Sequence, residues 1–81
     1  METRIAVIGI IVEDVSQSEK INDLLSEYRK VIVGRLGIPY EKKGVCVISV
    51  VLDAPNDTIS ALTGKIGRLP GITAKAVYSK K

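Results

Sequence analysis

Apolar residues along the chain form two long runs, Ile5–Val12 and Val45–Leu52, the second of which is broken only by Ser49. Both runs are rich in β-branched residues and too short for typical helices, so each predicts a strand in the middle of a sheet. We expect the first of these strands to be buried on both faces. Two further strands are predicted at Val31–Leu36 and Ile72–Tyr78, where β-branched residues recur between turn signals.

Two other segments repeat their apolar residues at the spacing of one helix face. The first follows Ser16, which has Glu19 three residues later in the pattern of a capping box, and it predicts a helix over residues 16–29. The second lies between Pro55 and Pro70-Gly71 and predicts a helix over residues 57–69. The two apolar sets are Ile21, Leu24, Leu25 and Tyr28, and Ile59, Leu62, Ile66 and Leu69.

The predicted order β-α-β-β-α-β is the split βαβ or ferredoxin-like plan, an α+β fold with a four-stranded antiparallel sheet and two helices on one face. We expect strands 1 and 3 at the centre, because they carry no charge, and strands 2 and 4 at the edges, because they carry Arg35 and Lys75. Gly37, Pro39 and Gly44 mark the turn before the third strand. Residues 1–81 are predicted to form this single domain.

The third strand is apolar on both of its faces. Cys46 belongs to the set assigned to the helix-covered face, and Val45, Val47 and Val51 belong to the other face. Since two helices cover one face only, a monomer would leave these valines in water. We therefore predict a subunit interface at the three valines and a homo-oligomer, either a dimer or a tetramer.

Composition excludes several kinds of chemistry. The 81 residues contain one Cys and no His, and 46% of them are hydrophobic, which is too many for a disordered chain. One thiol cannot form a disulfide within the chain, and Ser–His or Cys–His catalysis needs an imidazole. We predict no metal, no cofactor and no enzymatic activity. We interpret Cys46 as a small core residue, with a metal or redox role as the alternative.

The net charge of +3 is unevenly distributed, with an acidic excess before Tyr28 and a basic excess after it. Such asymmetry can mark a nucleic-acid surface. The segment after Lys43-Gly44, however, has aliphatic residues where RNA-binding sheets of this topology carry aromatic ones, so nucleic-acid binding by the isolated chain is not expected. The run Ile5–Val12 is too short to span a membrane and lacks signal-peptide flanks, so we expect a cytoplasmic protein with no membrane contact.

Two features are candidates for ligand binding. Glu13 and Asp14 follow the first strand and could bind a cation or an amine, or could be solvated acids before the positive end of a helix. Ser60, Gly64 and Gly67 share a smooth flank of the second helix. A ligand could pass over this flank, or the first helix or a symmetry mate could pack closely against it.

Four segments resemble the family of iron-only hydrogenase system regulators, which are small stand-alone ACT-like domains. They are the first strand with Glu13-Asp14, the helix start Asn56-Asp57-Thr58-Ile59, the segment Ala61-Leu62-Thr63-Gly64-Lys65-Ile66-Gly67, and Pro70-Gly71-Ile72. The resemblance covers nearly the whole chain. It implies a ferredoxin-like ACT fold and a regulatory role near an iron-only hydrogenase or its maturation system, and it carries over no ligand or catalytic residue.

The fold is also similar to that of the C-terminal domain of the nickel-responsive repressor. This resemblance places Cys46 on that domain's metal-binding cysteine, but Ile38 and Tyr40 fall on two of its histidines. Aliphatic and phenolic side chains cannot replace imidazole, so the nickel site is not expected here. The Asp-x-Pro-Gly turn of amino-acid-binding ACT domains is replaced by Glu13-Asp14-Val15-Ser16, which argues against amino-acid binding at that position.

We therefore expect a regulatory or sensor module, linked to an iron-only hydrogenase system, that acts through oligomerisation and through a small ligand or a regulated protein. Two alternatives stay open. One is a transcriptional regulator that binds DNA directly through the basic part of the chain, which a steep salt dependence of binding would reveal. The other is a purely structural oligomerisation module, which no ligand would stabilise against heat.

Overall fold

Four antiparallel strands and two α-helices make up the computed structural model, which describes residues 2–80. The elements are β1 (Arg4–Val12), α1 (Ser18–Glu27), β2 (Ile32–Tyr40), β3 (Val45–Ala54), α2 (Asn56–Gly67) and β4 (Ile72–Tyr78). The strand order is β2-β3-β1-β4, so β1 and β3, which contain the charge-free runs of the sequence, are central, as predicted. The ferredoxin-like, ACT-like βαββαβ fold is thereby confirmed.

Burial alternates along the central strands and places the core between the sheet and the helices. Every second residue of β1 is buried, and the second half of β3 follows the same alternation. These side chains pack against the apolar stripes of α1 and α2. The buried core residues are Ala6, Ile8, Ile10, Val12, Ile21, Leu25, Ile48, Val50, Leu52, Ala54, Ile59, Leu62, Ile66 and Ile72.

The expectation that both faces of β1 are buried is wrong for a single chain. Ile5, Val7 and Ile11 point away from the helices and keep 36–45% of their surface exposed. An antiparallel sheet can leave one face in solvent, whereas a parallel sheet needs cover on both. One face of this sheet therefore has no cover from the described part of its own chain.

The strand register arranges the residues of the uncovered face in rows that cross the sheet. β1 pairs antiparallel with both β3 and β4, and β2 pairs antiparallel with β3. Read from β2 to β4, three consecutive rows are Gly34, Val51, Val7 and Val77; Leu36, Ser49, Gly9 and Lys75; and Ile38, Val47, Ile11 and Thr73.

Strand β2 is longer than the predicted 31–36, because it continues through Gly37 and Pro39 to Tyr40. Proline is tolerated there because β2 is an edge strand, where not every N–H is needed for pairing. The reversal into β3 comes later, in a 3-10 turn that ends at Gly44 with a φ of 64°. Strand β3 also extends two residues beyond the predicted Leu52.

Both helices are shorter than predicted. The segment 16–29 contains α1 between two short 3-10 turns. The capping box expected at Ser16 does not form, because the Asp14 carboxylate accepts the Ser16 backbone N–H at 3.1 Å and caps the 3-10 turn before α1. Helix α2 covers residues 56–67 where 57–69 was predicted.

The turn into β4 lies close against the end of β1. The Gly71 carbonyl accepts the backbone N–H groups of Glu13 at 2.9 Å and of Asp14 at 3.3 Å. Gly71 has a φ of 71°, and a Cβ at this position would lie 2.6 Å from the Asp14 Cβ. Only glycine combines this left-handed backbone with so close an approach.

We expect Gly71→Ala to lower the free energy of unfolding by about 2–4 kcal/mol, because steric overlap with Asp14 adds to the cost of a left-handed φ. Gly44→Ala is the matched control, since its φ is 64° but nothing lies within 4 Å of an added Cβ. It should lose only about 1–2 kcal/mol. Urea unfolding followed by circular dichroism measures both losses, and equal losses would contradict the tight approach.

Candidate functional site

The uncovered side of the sheet is the most distinctive surface of the described chain, and we call it the open face. Its apolar members are Ile5, Val7, Ile11, Leu36, Ile38, Tyr40, Val45, Val47, Val51 and Val77. Of the predicted interface residues, Val47 is exposed and Val45 and Val51 are half-buried, and all three lie on this face. The same face also carries the polar residues Ser49, Asp53, Thr73 and Lys75. An exposed group of apolar side chains as large as this one is typical of a protein–protein contact.

The single cysteine lies on the opposite face. Cys46 pairs with Val12 and is half-buried against the core, so it is less enclosed than the core position expected for it. Ile38 and Tyr40, aligned above with two histidines of the nickel-responsive repressor, lie on the open face. Within residues 2–80 no three His, Cys, Asp or Glu side chains come together in a way that could hold a metal ion.

The Asp14 carboxylate is engaged in a local cap. It accepts the Ser16 hydroxyl at 2.6 Å and the Ser16 backbone N–H at 3.1 Å. These two hydrogen bonds, the one from the hydroxyl first, lower the pKa of Asp14 below its usual value. The neighbouring Glu13 side chain is exposed. The pair is thus one structural cap beside one solvated acid. This arrangement favours the interpretation as acids before a helix over a binding site for a cation or an amine.

Two of the three flank residues of α2, Ser60 and Gly67, lie beside β4 of the same chain. The Ser60 hydroxyl lies 3.2 Å from the Tyr78 hydroxyl. A Cβ at Gly67 would lie 3.9 Å from the Ala74 Cβ, and one at Gly64 would lie 3.5 Å from the Arg68 guanidinium. An added Cβ at Gly64 or Gly67 would therefore make only ordinary van der Waals contacts within the chain.

The candidate ligand residues do not converge on one site. Asp14 adjoins Gly71 immediately before β4, whereas Ser60 adjoins Tyr78 at the other end of that strand. Seven strand residues separate these ends by about 20 Å. Glu13 and Asp14 therefore cannot share a small ligand with Ser60.

A tyrosine and a lysine tie the two helices together. The Lys65 ammonium donates to the Tyr28 hydroxyl at 2.8 Å and lies 5.1 Å from the centre of the Tyr28 ring. The hydrogen bond with Tyr28 raises the pKa of Lys65 above its usual value. This exposed contact links the C-terminal end of α1 to α2 and leaves Lys65 engaged within the chain.

Sequence reasoning missed a shallow depression of about 440 Å³ at the start of α2. The Arg4 side chain lies in this depression. Its guanidinium donates to the Asn56 side chain at 3.4 Å and to the Ser79 carbonyl. The guanidinium also lies over the Tyr78 ring, 5.3 Å from the ring centre. Arg4 thereby joins β1, α2 and the end of β4. Because Arg4 and Asn56 lie 52 residues apart, no local signal in the sequence could have paired them. The depression is lined by Glu2, Arg4, Pro55, Asn56 and Asp57.

No helix within residues 2–80 is both long and apolar enough to cross a membrane.

Comparison with known proteins identifies one family. The TM1266-like family model, described as "Iron-only hydrogenase system regulator, putative", matches residues 4–76. The structure of the uncharacterized protein TM1266 from Thermotoga maritima is 36% identical in sequence and superimposes with a TM-score of 0.92, over 98% of this chain and 100% of that one. No curated protein matches the chain.

A more distant likeness is to CPII, a nitrogen regulatory PII-like protein from Thiomonas intermedia K12 that was solved with ADP, AMP and bicarbonate bound. That structure is 18% identical, with a TM-score of 0.46, over 98% of this chain and 99% of that one.

We expect Ser16→Ala to raise the pKa of Asp14 toward its usual value, because it removes the hydroxyl hydrogen bond that is the largest cause of the lowered pKa. Since the native pKa is lowered, the cap stabilises the fold at neutral pH, and this contribution is lost as the pH falls below about 4 and through the native pKa. A carboxyl-detected NMR titration measures the shift. Ser26→Ala, on an exposed position of α1, is the control and should leave the Asp14 titration unchanged.

Proposed function

The chain belongs to the TM1266-like family of iron-only hydrogenase system regulators, and we propose that it is a cytoplasmic, non-enzymatic sensor module of such a system. It would act as a homo-oligomer whose assembly responds to a small ligand or to a regulated protein. The observation that carries the proposal is the apolar open face, which the described chain leaves uncovered.

The exposed apolar side chains of the open face support assembly. Ile5, Val7, Ile11 and Val47 on the two central strands each keep 36–45% of their surface exposed, although burial of such side chains is favourable. A second copy is the simplest cover, because a symmetric dimer uses the same patch on both partners.

An assembly of this kind provides a direct route to regulation. A ligand or protein that binds the assembled form better than the separate chains shifts the association equilibrium by the ratio of its two affinities. The module needs no catalytic group for this, only a difference in binding between the two states. That requirement agrees with a chain that contains no His and one half-buried Cys.

Direct DNA binding is the less favoured alternative. The outer surface of α1 carries Glu19, Asp23 and Glu27, whose carboxylates repel a phosphate backbone. Helix α2 carries one acid, Asp57, and one base, Lys65, that is engaged with Tyr28. Neither helix therefore offers the basic surface that a recognition helix presents to DNA. For the purely structural module, no observation favours it over a sensor.

We expect Val47→Asp to dissociate the homo-oligomer, because it places an unpaired carboxylate at the centre of the open face. Val15→Asp makes the same substitution at a valine that is 58% exposed in the 3-10 turn before α1, away from the sheet, and it should assemble normally. Sedimentation velocity at micromolar concentration compares the three proteins. A monomeric wild type, or an unchanged Val47→Asp assembly, would falsify the oligomer.

We expect deletion of the gene from a cell that carries an iron-only hydrogenase to change the hydrogenase activity per cell. The wild-type gene and the Val15→Asp gene should restore the original level, and the Val47→Asp gene should not. The measurement is hydrogen evolution from cells, normalised to the number of cells. Unchanged activity on deletion would contradict a regulatory role, and rescue by Val47→Asp would contradict action through the open face.

A further inference from the structure

Gly9 stands in the middle of the central strand β1, a place where glycine weakens a sheet. Its φ does not lie in the left-handed region, which among the described glycines holds only Gly44 and Gly71. A Cβ at Gly9 would meet nothing within 4 Å. The described part of the chain therefore contains no backbone or packing reason for glycine at this position.

The surroundings of Gly9 form a shallow trough across the centre of the open face. Gly9 lies opposite Ser49 on β3, and these two small residues form the floor. One wall is the neighbouring row with Val7 and Val51, and the other wall is the row with Ile11 and Val47. The trough thus has an aliphatic wall on each side and one hydroxyl at its base.

We infer that side chains of a second copy of this chain fill the trough, and that Gly9 is small so that the two sheets can approach closely at the centre of their interface. The inference rests on the proposed homo-oligomer and adds to it the contact that sets its geometry. Glycine within a strand marks the close approach of a ligand or of another polypeptide.

The chemistry of the trough favours protein over a small polar ligand. Ser49 is the one polar side chain of its centre, and Lys75 lies at the end of the same row on the edge strand β4, where a lysine can extend into solvent. Water held between aliphatic walls would find too few hydrogen-bond partners. Since the cores of interfaces are packed as densely as protein interiors, a trough at the centre has to be filled by the partner.

The row spacing allows both copies to fill each other's trough at once. Adjacent rows lie two residues apart along the strand, which is about 7 Å. Consider a two-fold axis that lies between the two sheets, runs parallel to the rows, and stands midway between the trough and the row of Ile11 and Val47. Rotation about this axis places the Ile11 and Val47 row of each copy over the trough of the other copy. The contact is then reciprocal, as a symmetric dimer requires.

The test is Gly9→Val, which fills the trough from below. The added side chain enters open space and improves β-propensity, so the variant should keep the wild-type circular dichroism spectrum. We expect its association to weaken by at least tenfold in dissociation constant. Gly37→Val is the matched control, because Gly37 is also exposed with nothing within 4 Å of a Cβ but lies opposite Ile48 on the other face, and its association should match the wild type.

Each outcome of the sedimentation experiment decides the inference. If Gly9→Val associates as tightly as the wild type, the trough is not filled by a partner and the inference is wrong, although the homo-oligomer stands. If the wild type is a monomer, the homo-oligomer itself fails. If Gly9→Val does not fold, Ser49→Val occupies the same trough from β3, and unchanged association of that folded variant overturns the inference.

Discussion

Two helices can cover only one face of a four-stranded sheet, and the other features of this molecule depend on that limit. The covered face holds the core, and its side chains alternate with those of the open face along β1 and the second half of β3. Because β1 is apolar at nearly every position, both faces of the sheet can pack against a covering layer. The described chain supplies one such layer, the two helices. The regulatory assembly proposed for this family member is a consequence of that imbalance.

Much of the fold could be predicted from local patterns, and the errors have identifiable causes. The boundaries of β4 were predicted correctly, because Gly71 and the end of its apolar run delimit it. The predicted strand β2 ends too early, because Gly37 and Pro39 are local turn signals. In the structure, pairing with β3 at the sheet edge overrides these signals. The first cap was misassigned because Asp14 is held in position by the carbonyl of Gly71, a contact between distant parts of the chain.

The candidate site shows the same division between local and distant information. The open-face valines could be predicted, because alternation along one strand is enough to assign a face. The distance between the candidate ligand residues Asp14 and Ser60 could not be predicted from alternation, because it depends on how α2 lies along β4. The trough at Gly9 needed the register of three strands, which no single segment of sequence contains.

The pairing of β1 also has a consequence for synthesis of the chain. β1 has both of its neighbours later in the sequence, with Arg4 opposite Ala54 and Val12 opposite Ile72. On the ribosome, this apolar strand emerges before both of its partners and cannot pair until β3 is complete. Strands β2 and β3, in contrast, are neighbours in sequence and form a hairpin locally. During that interval β1 is an unpaired strand that other nascent chains can capture. The rate of translation between β1 and β3 therefore sets how long β1 stays unpaired.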